Sequence, residues 1–479
     1  MKTLTIQATI IFVMVIFLSA GCNRKQTCTE STQANYIDTT GLVLPHERQV
    51  NYQKMEFTAF VHFNMNTFTN VEWGKGDADP SLFNPTNFDA EQWVKAFKEA
   101  GMKMVILTAK HHDGFCLWPS EYTDYTIENS PYKNGNGDIV KEVADACRKY
   151  GLKFGFYLSP WDRHEPAYGT DQYNQFYKNQ LRELLTNYGK VHEVWFDGAK
   201  GPNAKDMEYD FQGYWAMVRK HQPEAVIFSD KGPDVRWIGN EDGIAGETNW
   251  SLMDTSKVEV GKADRDYLNS GDPSGSRWVV GECDVSISSD WFYHTDSRLK
   301  TVDELLNIYE KSVGRNGLLL LNVPPDQRGL LPETYVQRLH AFADTVDAIY
   351  SKDLAQDAEV TPSGVRSPER CFSGVHLTDT SYSSIWAPEQ GTVKSSIELS
   401  FSDVIAPRRI LIQENINYGQ RVKAFAVDIQ SNGNWETIQN GTTIGYKRIL
   451  RLPGREIEGI RVRIEDAKAS PILSRVALY

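Results

Sequence analysis

Carboxylates, histidines and tryptophans follow several short apolar runs of this sequence, each with the length and composition of a buried β-strand. Carboxylates can displace a leaving group and transfer protons, polar groups can hold hydroxyls, and aromatic faces can stack on a sugar ring. This combination is typical of a sugar-hydrolysing pocket. The candidates are His62, Asn64, His111, His112, Asp113, Tyr157, Trp195, Asp197, Asp234, Arg236, Trp237, Glu241, Asp242 and Glu282.

The elements that must position these residues alternate between strand and helix. Strand-like runs lie at 57–63, 103–108, 153–158, 191–197, 225–229, 277–282 and 317–323, with a weaker eighth expected near 243–248. Helical periodicity lies between them, at 89–100, 137–149, 171–188, 208–221, 302–313 and 332–349. The alternation predicts a (β/α)8 barrel over 51–355, with catalytic side chains at the C-terminal ends of its strands. An open doubly wound sheet is the alternative, but no glycine-rich nucleotide loop follows the first strand.

The pattern changes near residue 356. Short alternating strands follow at 396–401, 409–414, 422–429, 447–452 and 458–464, separated by turn signals such as 431–434 (SNGN). They predict an antiparallel β-sandwich over 356–479. This domain resembles carbohydrate-binding modules of the discoidin type. Its aromatic residues could stack on sugar or pack against the barrel, and both readings stay open for Trp386, Tyr418, Trp435 and Tyr446.

The N-terminus has the features of an export signal. Lys2 precedes an apolar run at 9–20 that is short for a membrane-spanning helix, and the small residues 19–21 lead to Cys22. Residues 1–22 resemble a bacterial lipoprotein signal with Cys22 as the lipidated residue, followed by a tether at 23–50. An ordinary cleaved signal peptide is the alternative. We therefore expect an exported protein, periplasmic or anchored in the outer membrane, that contacts the membrane only through its lipid.

Charge and cysteine content narrow the function classes. A formal net charge of −12 opposes a general affinity for nucleic acid. After Cys22, five scattered cysteines remain, without metal-like spacing, so we predict neither a metal nor another cofactor. A disulfide framework is not expected in a chain of 479 residues.

Five segments resemble the α-L-fucosidases of glycoside hydrolase family 29. They are 60–64 (FVHFN), 71–73 (VEW), 108–118 (TAKHHDGFCLW), 194–199 (VWFDGA) and 314–323 (GRNGLLLLNV). The ordered combination of the His-His-Asp-Gly-Phe and Trp-Phe-Asp-Gly strings is specific. The resemblance implies an exo-acting, retaining enzyme that releases terminal L-fucose from fucosylated oligosaccharides or glycoconjugates through a covalent intermediate.

The resemblance also assigns roles to individual residues. Asp197 matches the nucleophile, and we expect hydrogen-bond donors to keep its pKa low. One branch of the family, active on α-1,3/1,4-linked fucose, carries its acid/base in a Trp-x-Gly-Asn-Glu-x-Gly stretch. Here that stretch is 237–243, which selects Glu241, with Glu247 as the reserve. Sugar contacts are implied at His62, Glu72, Trp73, His111, His112, Tyr157 and Trp195, with a further aromatic wall at 291–293.

Two other function classes stay open at this point. A metal-dependent barrel hydrolase could use His111, His112 and Asp113 as ligands. Such enzymes commonly carry a His-x-His pair on the first strand, whereas His62 is followed by Phe63 and Asn64. A non-catalytic fucose-binding protein on the same scaffold would keep the pocket and lose the acid or the nucleophile.

Overall fold

The computed structural model describes residues 28–262 and 264–479, so the predicted signal segment with Cys22 lies outside the described residues. Within them, eight parallel strands close into a barrel in the order β1-β10-β9-β6-β5-β4-β3-β2. The barrel strands are β1 (Phe57–Val61), β2 (Met104–Lys110), β3 (Lys153–Leu158), β4 (Glu193–Trp195), β5 (Val226–Phe228), β6 (Val235–Trp237), β9 (Val280–Ser286) and β10 (Gly317–Asn322); β7 (Leu252–Met253) and β8 (Arg277–Trp278) form a small separate sheet. The predicted barrel is confirmed.

The expected eighth strand near 243–248 is wrong, because that segment has no regular structure. The strand is instead β6, which follows β5 after a short loop without an intervening helix. Three residues, one of them charged, carry too little apolar signal to be read as a strand. The charge of Arg236 is nevertheless fully buried, and its guanidinium donates to Leu268 O, Val279 O and Asn249 Oδ1.

Helices cover the outside of the barrel, and the predicted amphipathic segments are helical. The helices of the described residues are α1 (Glu30–Ala34), α2 (Glu47–Gln53), α3 (Met65–Thr69), α4 (Ala90–Glu99), α5 (Ile139–Tyr150), α6 (Asp171–Asn187), α7 (Phe211–His221), α8 (Arg265–Ser270), α9 (Val302–Ser312), α10 (Glu333–Tyr350) and α11 (Glu369–Phe372). Asp89 caps α4 by accepting from Glu91 N and Gln92 N. Gly101 ends the helix at a φ of +79°, a left-handed value that glycine adopts without strain.

Two antiparallel sheets follow the barrel. One has the order β11-β12-β17-β14-β15 and the other β16-β13-β18. Their strands are β11 (Glu359–Pro362), β12 (Ser395–Ile405), β13 (Arg409–Glu414), β14 (Val422–Ser431), β15 (Asn434–Gly441), β16 (Arg448–Arg451), β17 (Ile457–Ala467) and β18 (Leu473–Leu478). The turn predicted at 431–434 joins β14 to β15, with Asn432 and Gly433 at positive φ. Strands β11, β15 and β18 were not predicted.

Two of the four aromatic residues considered in the sandwich, Trp386 and Tyr446, are used for packing. Trp386 is fully buried and donates to Gly364 O, and Tyr446 donates to Glu56 Oε1 of the barrel domain at 2.9 Å. Ion pairs join the same two domains, since Glu310 on α9 binds both Arg409 and Arg451. The arrangement favours the packing reading over the sugar-stacking reading for Trp386 and Tyr446.

A disulfide joins the start of the described chain to the C-terminal domain. Cys28 is bonded to Cys371, 343 positions further along the chain, whereas Cys116, Cys147 and Cys283 are free and buried. The sequence analysis did not anticipate this bond, because five scattered cysteines give no sign of which residues the fold brings together. Among the described residues, no helix has the length and apolar character needed to cross a membrane.

Candidate active site

The C-terminal ends of the barrel strands surround a cavity of about 340 Å³, called here the central cavity. It is the place where a (β/α)8 barrel collects side chains from many strand ends. Eight of the residues to which the resemblance assigned a catalytic or sugar-binding role line it: His62, Trp73, His111, His112, Tyr157, Trp195, Asp197 and Glu241. Phe60, Phe228, Asp230, Trp237, Asp284 and Trp291 complete its inner wall, and Gly198, Ala199, Lys200, Gly261, Lys262 and Arg265 lie at its rim.

Asp197 lies two residues beyond β4 and receives a hydrogen bond on each oxygen. Tyr157 Oη donates to Oδ2 at 2.9 Å and Ala199 N donates to Oδ1 at 2.7 Å. Burial nevertheless raises the pKa of Asp197 above its ordinary value, and these donors only oppose that effect. The expected donors are therefore present, but the expected low pKa is wrong because loss of water outweighs them.

Neutral histidines stand around Asp197. Burial lowers the pKa of His62 and of His112 to about 3. Ser159 Oγ donates to Trp161 O at 2.6 Å, so His112 Nδ1 must donate to Ser159 Oγ, 2.7 Å away. The neutral ring therefore presents an unprotonated Nε2, which lies 3.6 Å from Asp197 Oδ2. It can accept a hydrogen bond from a ligand hydroxyl.

His62 is oriented in the same way by Asn322, the last residue of β10. The Asn322 amide donates to Trp291 O at 2.8 Å, which leaves its Oδ1 to accept from His62 Nδ1 at 3.0 Å. His62 therefore also has an acceptor at Nε2. Two imidazole acceptors close to one carboxylate suit a ligand with several adjacent hydroxyls.

The floor of the cavity is aromatic. Trp195 stacks on Phe228 with ring centroids 4.0 Å apart, and its Nε1 donates to Glu282 Oε1 at 2.8 Å. Glu282 itself lies inside the barrel, where Tyr52 Oη also donates to it. It is therefore not at a strand end, as the sequence analysis placed it, because β9 continues to Ser286.

Glu241 lies at the mouth of the cavity, four residues after β6. Its Oε2 accepts from Trp291 Nε1 at 3.2 Å. Burial raises the pKa of Glu241, and the charge of Asp197 raises it further. The charge of Asp197 therefore acts on Glu241 across the cavity and disfavours ionisation of Glu241.

A third carboxyl group, Asp284 on β9, supports this wall. Its Oδ1 accepts from Trp237 Nε1 at 2.9 Å, which fixes the indole four residues before Glu241. Burial, together with the neighbouring charge of Glu241, raises the pKa of Asp284 well above its ordinary value. Its surroundings therefore favour the protonated form of Asp284.

Two of the residues to which the resemblance assigned a catalytic or sugar-binding role lie outside the lining of the central cavity. Glu72 accepts from the backbone N–H groups of Trp291 and Phe292 at 3.1 and 3.2 Å, so it holds the loop that carries the Trp291 wall. Glu247, the reserve acid/base, lies at the junction with the sandwich and pairs with Arg315 and Arg448. The structure therefore brings Glu241, and not Glu247, to Asp197.

Several lining residues were missed by the sequence analysis. Asp230 lies two residues after β5 and accepts from Gly261 N at 2.6 Å, and burial raises its pKa to about 6. The rule that selected Asp197, a polar residue just beyond a strand, would also have selected Asp230. Asp284 was missed because the predicted strand ended two residues before it.

The family model of the α-L-fucosidases matches residues 42–348, which contain the whole barrel and every lining residue named above. The chain belongs to the α-L-fucosidase family, glycoside hydrolase family 29. As a member it is a glycoside hydrolase, an α-L-fucosidase. This membership favours the glycosidase over the metal-dependent barrel hydrolase considered above.

Relatives in the family come from plants, animals and bacteria. The chain is 45% identical to α-L-fucosidase 1 of Arabidopsis thaliana, over 91% of this chain and 88% of the plant protein. It is 28% identical to human plasma α-L-fucosidase, over 61% of this chain and 63% of the human protein. The solved structure of a Ruminococcus gnavus family 29 fucosidase in complex with fucose aligns with a TM-score of 0.85 at 35% identity, covering 92% of this chain and 95% of that one.

Proposed function

We propose that this α-L-fucosidase is exo-acting and retaining, with Asp197 as the nucleophile and Glu241 as the acid/base. One observation carries the proposal: two carboxyl groups in different environments line the same cavity. Burial raises the pKa of both groups, but Asp197 receives two hydrogen bonds that stabilise its carboxylate, whereas Glu241 receives one and its pKa is raised further by the charge of Asp197. Pairs of this kind divide into nucleophile and acid.

The reaction then has two steps. In the first, Asp197 attacks the anomeric carbon while Glu241 gives its proton to the glycosidic oxygen, so the C–O bond breaks and the acceptor leaves. In the second, ionised Glu241 takes a proton from water, which attacks the same carbon and releases L-fucose and the Asp197 carboxylate. His62 and His112 would accept hydrogen bonds from hydroxyl groups of the sugar. The Trp195 floor would limit the cavity to a single sugar residue, which favours exo action.

Trapping and substitution test these roles. A fluorinated fucosyl donor should add one fucosyl group to the peptide that contains Asp197, measured by mass spectrometry. Glu241→Ala should slow natural linkages far more than aryl fucosides with good leaving groups, since only the former need the proton. Labelling of another residue, or equal losses on both substrates, would contradict the assignment. Absence of any labelling with intact fucose binding would favour a non-catalytic fucose-binding protein.

The proposed substrate is α-1,3/1,4-linked fucose on an acceptor with two further arms. The motif at 237–243 supports this branch, and so do two grooves beside the central cavity. The tryptophan groove, about 360 Å³, shares Trp73 with the cavity and is lined by Trp161, Tyr168 and residues 201–205. The lysine groove, about 780 Å³, shares Gly198, Lys200, Gly261 and Lys262. When the fucose is attached at a branch point, the acceptor continues in two directions, and each of these two glycan branches could lie in one groove.

A panel of defined oligosaccharides tests this preference. Fucose linked α-1,3 or α-1,4 at a branch point should be released with a higher kcat/KM than fucose linked α-1,2 at a chain end or α-1,6. A higher kcat/KM for either of the latter linkages would contradict the proposed branch. An aryl fucoside, which lacks both arms, gives the reference rate for each preparation.

We also propose that the protein is exported and anchored through a lipid on Cys22. The disulfide between Cys28 and Cys371 supports export, because such bonds persist in oxidising compartments. Cell fractionation should find the wild type with membranes and Cys22→Ala without lipid. A wild type that carries no lipid, by mass spectrometry of its N-terminal peptide, would contradict the anchor.

A further inference from the structure

We propose that the lysine groove contains a subsite for an anionic group of the acceptor glycan, a sulfate ester or a carboxylate, held by Lys200, Lys231, Lys262 and Arg265. The proposal rests on the proposed function, since it concerns the acceptor bound beside the fucose. The four cations come from separate parts of the barrel: Lys200 follows β4, Lys231 follows β5, and Lys262 and Arg265 lie between β7 and β8.

The position of the lysine groove ties it to the reaction. Its inner end is formed by Gly198 and Lys200, directly after the predicted nucleophile, and by Gly261 and Lys262. All four residues also line the central cavity. A group in this part of the groove would therefore belong to the sugar that carries the fucose or to the next one.

One carboxylate in the groove pairs with one lysine and is influenced by the charges of two others. Lys262 Nζ contacts Glu259 Oε1 at 2.9 Å. This bond lowers the pKa of Glu259, and the charges of Lys231 and Lys200 act in the same direction. Both side chains of the Lys262–Glu259 pair are more than two-thirds exposed, so the pair is accessible from the groove. Glu259 acts as an internal counter-ion whose place a ligand anion can take.

Arg265 adds a guanidinium on the side of the central cavity. It lies over the ring of Trp237 at 5.4 Å from the centroid, and it forms no ion pair within the part of the chain that the structure describes. Stacking on an aromatic face fixes the planar group while its N–H donors stay available. Such a fork suits the paired oxygens of a carboxylate or sulfate.

The acidic groups of the groove locate the subsite. The charge of Asp206 acts on Lys262, and Asp171, Glu208 and Asp210 line the groove without lining the central cavity. Lys178 pairs with Asp210. Lys200 and Lys262 line both the groove and the central cavity, whereas these four acidic residues line the groove alone. Because the whole chain has a net charge of −12, a preference for an anionic substrate cannot come from overall attraction.

The test compares three acceptors that differ only in charge: a neutral fucosylated trisaccharide, its sulfated form and its sialylated form. The measured quantity is the ratio of kcat/KM for the charged form to that for the neutral form. Lys231→Gln should lower this ratio about threefold and Glu259→Gln should raise it about threefold, the size of one exposed ion pair. Both effects should shrink at about 0.5 M NaCl, because salt screens exposed charges.

The two charged forms identify the source of the anion. A change confined to the sulfated form supports a sulfate subsite, and one confined to the sialylated form supports a carboxylate subsite. A ratio that neither variant alters, or that both alter in the same direction, overturns the proposal. Calorimetric titration of Asp197→Ala with the same three sugars keeps the test independent of turnover. A chain that hydrolyses none of them would refute the proposed function, while a preference in binding would still support the subsite.

Discussion

The indole Nε1 of Trp291 donates to Oε2 of Glu241 across 3.2 Å, which joins the loop after β9 to the loop after β6 at the mouth of the central cavity. The hydrogen bond lowers the pKa of Glu241 and so opposes burial and the charge of Asp197, which both raise it. The Trp291 loop is in turn held by Glu72, through the backbone N–H of Trp291. A remote carboxylate therefore helps to set the protonation of the proposed acid.

Replacing the indole tests this relationship. Trp291→Phe removes the donor, so the pKa of Glu241 should rise further. Because Glu241 must be protonated in the first step, the alkaline limb of the kcat/KM profile should move to higher pH. The measurement is a pH–rate profile on an oligosaccharide with a natural fucosyl linkage, with Trp435→Phe in the sandwich as the control. An alkaline limb that stays in place would contradict the role given to Trp291.

Substitutions of the two candidate acids should have different effects, one on activity and the other on stability. Glu241→Ala should lose most activity on natural linkages and unfold like the wild type. Glu247→Ala should keep the rate on natural linkages but lose about 1–3 kcal/mol of stability, since Arg448 is only 2% exposed and would be left without its carboxylate partner. Glu247 itself is 64% exposed, which keeps the loss below that of a fully buried pair. Urea unfolding measures the stability of each variant, and initial rates measure its activity. Loss of activity in Glu247→Ala but not in Glu241→Ala would indicate that Glu247 is the acid.

Glu193 should make the protein less stable as the pH rises. It is fully buried beside Glu282, and burial together with the charge of Glu282 raises its pKa well above the ordinary value. Tyr52 and Trp195 both donate to Glu282, so Glu193 keeps the proton in the folded state. The unfolded chain releases it near pH 4.3, and stability falls as the pH rises above that value.

A variant that cannot titrate at position 193 checks whether Glu193 causes the loss of stability with rising pH. Glu193→Gln cannot ionise, so its melting temperature should fall less than that of the wild type between about pH 4.5 and 8. Glu224→Gln, on the exposed surface, is the matched control and should follow the wild type. A wild type whose stability rises across this range while Glu193→Gln follows it would refute the buried-proton assignment.

The disulfide between Cys28 and Cys371 should contribute to the stability of the fold and not to the catalytic rate. Cys28 and Cys371 lie outside the lining of the central cavity. The double variant Cys28→Ser/Cys371→Ser should lose about 2–4 kcal/mol of stability, the range for removal of such a cross-link. Its kcat on an aryl fucoside should equal that of the wild type. Thermal unfolding with and without reductant provides the comparison, and an unchanged wild-type transition in reductant would contradict the expectation.

The sequence predicted the parts of this protein that have a strong pattern. Seven barrel strands are apolar runs of five to seven residues, and Asp197 follows one of them at a strand end, so position and motif agree. The strand at 235–237 was missed because Arg236 interrupts it, and its burial depends on acceptors more than 30 positions away. Likewise, the wide separation of Cys28 from Cys371 hides their contact.

The site was predictable where one residue acts alone and not where residues act through partners. His62, His112 and Tyr157 could be placed from their strand ends. The orientation of His62 depends on Asn322. The two residues lie at the ends of neighbouring strands, β1 and β10, which are adjacent only in the folded protein. No local pattern around Asn322 indicates that its amide selects a tautomer.

Gly198 and Gly261 touch backbone to backbone, and this contact restricts how the enzyme can diversify. A methyl group on Gly198 would lie 2.5 Å from Asp230 Oδ2, and one on Gly261 would lie 2.7 Å from Gly198 O. Surface loops usually accept substitutions one at a time, but here the segment beside the nucleophile and the segment bearing Lys262 are locked together. In evolution or in the laboratory, new acceptor specificities should therefore arise by exchanging both segments as a unit with Asp230.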